Sequence, residues 1–135
     1  MAALPSILFV CSRNAGRSPM AAALVHHLAP GRYIALSAGI SPASRPNPLV
    51  TRVMGEVGIN IPDHRPGPLS ALLDRRFDRI IILTDEVPPF LPPAGEVISV
   101  PLSDPAALSG EEGEQLAALR LLRDEITAWI RGNLL

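Results

Sequence analysis

The chain has 135 residues, 47% of them apolar, with a formal net charge of −1 and a single cysteine, Cys11. That is the length of one compact domain spanning 1–135, with enough apolar content for a core and no charge excess pointing to nucleic acid or an acidic membrane. One cysteine excludes an internal disulfide and a cysteine-rich metal site.

All 12 basic residues are arginine. Beside so much Ala, Pro, Leu and Gly, this reads as compositional bias. The start, MAALPSILFVC, is apolar but lacks a basic leader region and a small-residue cleavage site, so it does not read as a signal peptide. No apolar run reaches membrane-spanning length. A reducing cytoplasm is the expected compartment.

Ser6 to Val10 reads as a short buried strand, and Cys11 to Arg17 as a polar loop. Ser18-Pro19 then predicts the start of an Ala-rich helix reaching Leu28, with serine as N-cap and proline at the first helical position. Tyr33 to Ser37 reads as a second strand and Ser41 to Pro46 as a proline-studded loop. Asn47-Pro48 repeats the cap-plus-proline signal, and Leu49, Val50, Val53, Met54 and Val57 fall on one helical face, with Gly58 as the stop.

Asp63 to Pro68 reads as loop, and a short helix carries Leu69, Leu72 and Leu73. Asp78 to Thr84 is apolar on both faces through Ile80, Ile81, Ile82 and Leu83, as a central parallel strand should be. A loop with four prolines, Asp85 to Gly95, separates it from a fourth strand, Glu96 to Val100. Ser109 with Glu112 forms a capping-box pattern opening a last helix bearing Leu119, Leu122, Ile126 and Ile130. Strands alternating with helices imply an α/β fold with a parallel sheet covered on both faces.

In such sheets ligands bind beyond the carboxyl ends of the strands, where Cys11 to Arg17 lies. The run Cys11-Ser12-Arg13-Asn14-Ala15-Gly16-Arg17-Ser18 can curl so that its amides point inward as an anion nest, reinforced by the following helix N-terminus. Asn14 and Gly16 tolerate the unusual backbone angles of such a curl, and Asn14 is expected to hold the loop's shape. The fixed dipoles and the two arginines, Arg13 and Arg17, favour the thiolate of Cys11, its nucleophilic form. Arg17 can hold two oxyanion oxygens in its planar fork, and Ser18 can hydrogen-bond the sulfur. A nucleotide site is disfavoured: there is no G-x-G-x-x-G, and no lysine for a G-x-x-x-x-G-K-[ST] loop. A buried, inert cysteine is the plainer alternative. Two carboxylates past strand ends, Asp85 and Asp104, remain open as the acid.

Phe9-Val-Cys-Ser-Arg-Asn-Ala-Gly-Arg-Ser-Pro-Met-Ala22 resembles the active-site loop of the low-molecular-weight protein tyrosine phosphatases and of the arsenate reductases built on the same fold. The likeness continues through Ser37-Ala-Gly39, Asn47-Pro48, Val53 to Ile59, Phe77-Asp78, Asp104-Pro105-Ala106 and Arg123 to Ile126, nearest to the arsenate reductase branch. It implies a four-stranded parallel, doubly wound, Rossmann-like three-layer sheet. It also implies Cys11 as nucleophile, Arg17 as oxyanion clamp and Asp104 as general acid, its carboxyl restricted by Pro105. The oxyanion-binding loop would be Ser12, Arg13, Asn14, Ala15, Gly16 and Ser18.

The departures bear on mechanism. Thioredoxin-coupled arsenate reductases resemble this chain but carry further cysteines where Thr84 to Pro92 has none, and many relatives have one where Gly16 stands. Ala22 replaces an acidic residue associated with cation binding, so neither potassium nor another metal is expected. Ala106, Ala107 and Leu108 stand where tyrosine phosphatases place aromatics. The expected activity is arsenate reduction with no tightly bound cofactor, an external thiol such as glutathione or mycothiol, and a glutaredoxin- or mycoredoxin-like partner. The alternative is a phosphatase acting through a cysteinyl-phosphate. A non-enzymatic oxyanion sensor is disfavoured by the intact Cys11, Arg17, Ser18 and Asp104 set.

Other candidates are weaker. His26 and His27, adjacent on a helix, point apart and cannot chelate together. His64 is expected in a turn, Trp129 in the core, Arg13 at the pocket rim, and Phe90 either beside the pocket or as a plug.

Overall fold

The computed structural model describes residues 3–61, 65–104 and 110–135. Four strands, β1 (Ser6–Cys11), β2 (Ile34–Gly39), β3 (Phe77–Ile82) and β4 (Ala94–Ser99), and the helices α1 (Arg17–Leu28), α2 (Pro48–Gly55) and α3 (Glu112–Asn133) follow in the order β1-α1-β2-α2-β3-β4-α3. A 3₁₀ turn at Leu69–Leu72 precedes β3. The sheet is parallel throughout, in the order β2-β1-β3-β4.

The centre of the sheet follows from hydropathy. Ile7, Leu8, Phe9 and Val10 are all fully buried, so β1 takes an interior position. Ile7 and Phe9 face α1, α2 and α3, in a cluster with Met20, Val53 and Ile126. Leu8 and Val10 face the other way, against Leu69, Phe77 and Ile80. The sheet is thus covered on both faces as expected, though all three α-helices serve one of them. β2 and β4 are the edges, and on β4 Glu96 and Val97 are exposed.

Several boundaries differ from the sequence reading. β2 runs to Gly39, where its backbone pairs with Cys11 at the end of β1. β3 starts at Phe77, closing against Pro93, and β4 spans Ala94–Ser99. α1 starts at Arg17 with Gly16 as N-cap, so Ser18 is not the cap; its hydroxyl has another partner, described below. Asn47 caps α2 as expected, its side chain accepting the Leu49 amide at 3.0 Å with Pro48 following. Gly58, at φ 82°, ends the turn after that helix in a conformation L side chains rarely adopt. The N-cap of α3 is Glu111, without a side-chain cap bond; Ser109 lies outside the described residues.

Glu56, just past α2, ties that helix to α3. Arg120 donates to its carboxylate at 2.8–3.1 Å and Arg123 at 2.9 Å. The Arg120 hydrogen bonds, with those of Arg123 and both positive charges, hold the Glu56 carboxyl at about 2 against burial, which acts the other way. A carboxyl whose folded pKa is depressed stabilises the fold above its unfolded value near 4.5 and loses that contribution as pH falls towards 2. Glu56→Gln is therefore expected to lower Tm by a constant amount above pH 5, and the gap to the parent chain should close below pH 4.5. Thermal melts of both chains from pH 7 to pH 2 check this; a gap that widens in acid would refute the linkage.

Candidate active site

Along the sheet the chain leaves β1 towards β2 on one side, while β3 lies on the other. The crevice at the carboxyl ends of β1 and β3 is therefore the topological switch point. The loop from Cys11 to Gly16 fills it. Its course is set by long-range bonds: the carbonyls of Cys11, Ser12 and Arg13 accept from the amides of Ile40, Ser41 and Ala43 at 2.8–3.0 Å. Asn14 takes φ 51°, the left-handed conformation asparagine tolerates better than most residues. Gly16 has a negative φ, so the left-handed residue of the curl is Asn14.

Gly39 lets the loop lie this close. A Cβ there would stand 2.9 Å from the Asn14 Cβ and 3.0 Å from the Asn14 amide nitrogen. Asn14 also locks the loop through its buried side chain. Its Oδ1 accepts the Gly67 amide at 2.9 Å, and its Nδ2 donates to the Ser18 hydroxyl at 2.8 Å.

Cys11 is buried, and its sulfur has two neighbours. The Asn14 amide donates to it at 3.2 Å, and the Ser18 Oγ lies 2.9 Å away. Since the Ser18 oxygen already accepts from Asn14, its own proton is available to the sulfur. This explains why Ser18 is not a helix cap. Opposite, Ser12 and Thr84 bridge the crevice with a 2.9 Å hydroxyl pair, and Thr84 also accepts the Glu86 amide.

Arg17 is 5% exposed, and its guanidinium is aimed by two groups from beyond β4. It donates to the Leu102 carbonyl at 3.1 Å and lies 3.5 Å from the Asp104 carboxylate. Cys11, Arg13, Ala15, Gly16, Arg17 and Asp104 share a small cavity of about 30 Å³. Beside it opens a larger cavity of about 480 Å³, walled by Ser12, Arg17, Thr84, Asp85, Ser103 and Asp104. Chemically, this sets a sulfur supplied with donors, a rigid cationic fork and a carboxylate around one space.

The expected loop residues thus come together, with Arg13 exposed at the rim. Asp85 reaches only the larger cavity. Phe90 is 43% exposed and lines neither. His64 and Pro105 lie outside the described residues. His26 accepts the Ala35 amide at 3.2 Å, a structural bond between α1 and β2. Trp129 packs, partly buried, against the core. Among the described residues no cluster of three His, Cys, Asp or Glu could hold a metal ion, and no helix is long and apolar enough to cross a membrane. The sequence reading passed over the anchors: Gly39, Gly67, Thr84 as the partner of Ser12, and the Leu102 carbonyl. Only Gly39 left a signal, as the glycine ending a β-run.

Fold and site together define a parallel α/β domain with a thiol-bearing loop at its switch point. The chain belongs to the low molecular weight phosphotyrosine protein phosphatase family, whose model matches residues 6–97. An arsenate reductase of Halalkalibacterium halodurans is 31% identical over 123 residues, covering 89% of this chain and 88% of that one. The probable low molecular weight protein-tyrosine-phosphatase EpsP of Ralstonia solanacearum is 39% identical over 82 residues. That match takes in 59% of this chain, which spans about half of EpsP, 56% of its length. A glutaredoxin arsenate reductase of Synechocystis is 28% identical over 91% of both chains. Among solved structures, an arsenate reductase in the phosphate binding state superposes with a TM-score of 0.81 at 27% identity, covering 96% of this chain and 95% of that one.

Proposed function

We infer that this protein is an arsenate reductase that draws its electrons from an external small thiol. The observation that supports it best is the shared cavity of Cys11, Arg17 and Asp104 in a chain with one cysteine. Arsenate enters with its oxygens on the loop amides and the Arg17 fork. The Cys11 sulfur attacks arsenic, and Asp104 delivers a proton to the departing hydroxide, which leaves as water. Ser12, Arg13, Asn14, Ala15, Gly16 and Ser18 form the oxyanion cradle.

Reduction follows by thiol exchange. An external thiolate attacks the Cys11 sulfur; an S–S bond forms, and the S–As pair leaves with arsenic, taking it from As(V) to As(III). A second thiol, or a glutaredoxin- or mycoredoxin-like protein, then frees Cys11 from the mixed disulfide. Glutathione is the candidate thiol that carries carboxylates, and mycothiol the candidate that carries none. The likeness to a glutaredoxin arsenate reductase over most of the chain supports this route. A lone reactive thiol working this way needs a reducing cytoplasm, and no step needs a bound cofactor.

Cys11 cannot form an internal disulfide, since the sequence holds no second cysteine. Arsenite formation should therefore rise with external thiol concentration and fail with thioredoxin and its reductase alone. Following arsenite over time under each reductant tests this. Brisk turnover with thioredoxin alone defeats the external-thiol route. No arsenite with any thiol, together with phosphomonoester hydrolysis lost in Cys11→Ser, assigns the site to the phosphatase reading, which the EpsP match supports.

A further inference from the structure

Charges of both signs surround the Cys11 loop. Arg13, Arg45 and Arg65 are all exposed; Arg13 lies in the loop and lines the Cys11 cavity, and the other two sit on stretches bonded to the loop. The Arg13 carbonyl accepts the Ala43 amide at 2.9 Å, which brings the stretch carrying Arg45 alongside it. The Gly67 amide donates to Asn14 at 2.9 Å, which brings in the stretch carrying Arg65. None of the three arginines has an ion-pair partner among the described residues. Asp85 lines the larger cavity, with exposed Glu86 next in the chain, and Asp104, beside Arg17, borders both cavities.

Accepting the reductase reading, we propose that the Arg13, Arg45 and Arg65 side of the mouth docks the carboxylate of the external thiol. The second substrate is thus a carboxylate-bearing small thiol, approaching Cys11 from the basic side. Arsenate itself is cradled by Arg17 and the loop, Arg13 included; Arg45 and Arg65 lie outside that cradle and have no ion-pair partner among the described residues. A thiol carrying a carboxylate is drawn to them and repelled by Asp85 and Glu86. This orients its sulfur over Cys11, where a neutral thiol would arrive unoriented. The oxidised product is the corresponding disulfide: two thiols lose two protons and two electrons as one arsenate becomes arsenite and water.

The test uses Arg45→Ala/Arg65→Ala, leaving Arg13 in place because it lines the Cys11 cavity. Cys11 is alkylated with iodoacetate, which carries a carboxylate, and with iodoacetamide, which does not. The iodoacetate-to-iodoacetamide rate ratio should fall roughly 3- to 10-fold in the double variant, and the parent's ratio should fall with salt as screening shortens to about 8 Å. Arsenite formation should show the same split, with thioglycolate turnover reduced and 2-mercaptoethanol turnover unchanged. An unchanged alkylation ratio overturns the proposal, as does a Cys11 closed to both reagents. Loss of turnover with a protein redoxin alone also overturns it, since the rim would then serve a protein surface. If no thiol yields arsenite while the alkylation ratio falls, the reductase reading fails and the anion-attracting rim stands.

Discussion

Cys11→Ser should lower turnover by on the order of 10⁴-fold or more with arsenate or a phosphoester, because the proposed covalent intermediate has no other atom to form on. The substitution is mild for the structure. Serine is slightly smaller than cysteine, and its oxygen can still accept from the Asn14 amide and sit beside the Ser18 hydroxyl, the two neighbours that sulfur has now. The loop carbonyls remain tied to Ile40, Ser41 and Ala43. Phosphate or arsenate binding, measured by calorimetry, should therefore survive while chemistry stops. Turnover within tenfold of the parent chain would mean that Cys11 is a packed core cysteine and that the chemistry lies elsewhere.

The second large effect is expected at Asp104, the proposed general acid. Asp104→Asn should keep oxyanion affinity but cut turnover roughly 10²- to 10⁴-fold with poor leaving groups, the loss expected when general acid catalysis is removed. Asparagine keeps the shape of the side chain beside Arg17 but cannot release a proton to the departing oxygen. With good leaving groups, which need no proton, the deficit should shrink. Asp85→Asn is the control. Both carboxylates border the larger cavity, but Asp104 alone also borders the cavity of Cys11 and lies 3.5 Å from Arg17. A dead Asp85→Asn with a nearly normal Asp104→Asn would reverse the assignment.

Much of the fold was legible in the chain because its signals are local. Ile7 to Val10, apolar at every position, could only be a strand buried on both faces. Asn47-Pro48 marked a helix start because the cap bond runs to a residue two positions away. The polar loop after β1 pointed to an anion site because C-x5-R-[ST] places a thiol, a guanidinium and a hydroxyl within one turn of chain. Its likeness to a family implied Asp104 as the acid.

Tertiary structure decided what depends on partners distant in sequence. Ser18, with proline after it, looked like a helix cap; it is instead held by Asn14 and turned to Cys11, because the loop curls back on itself. Arg17 takes its aim from Leu102, 85 residues further along, and Ser12 bonds Thr84 from 72 residues away. Gly39 and Gly67 shape the loop without belonging to it. Local propensity carries no record of such pairings, since each residue alone is compatible with several conformations. The residues by themselves determined which groups could do the chemistry. Only the packing of β1 between β2 and β3 decided which of them face one another.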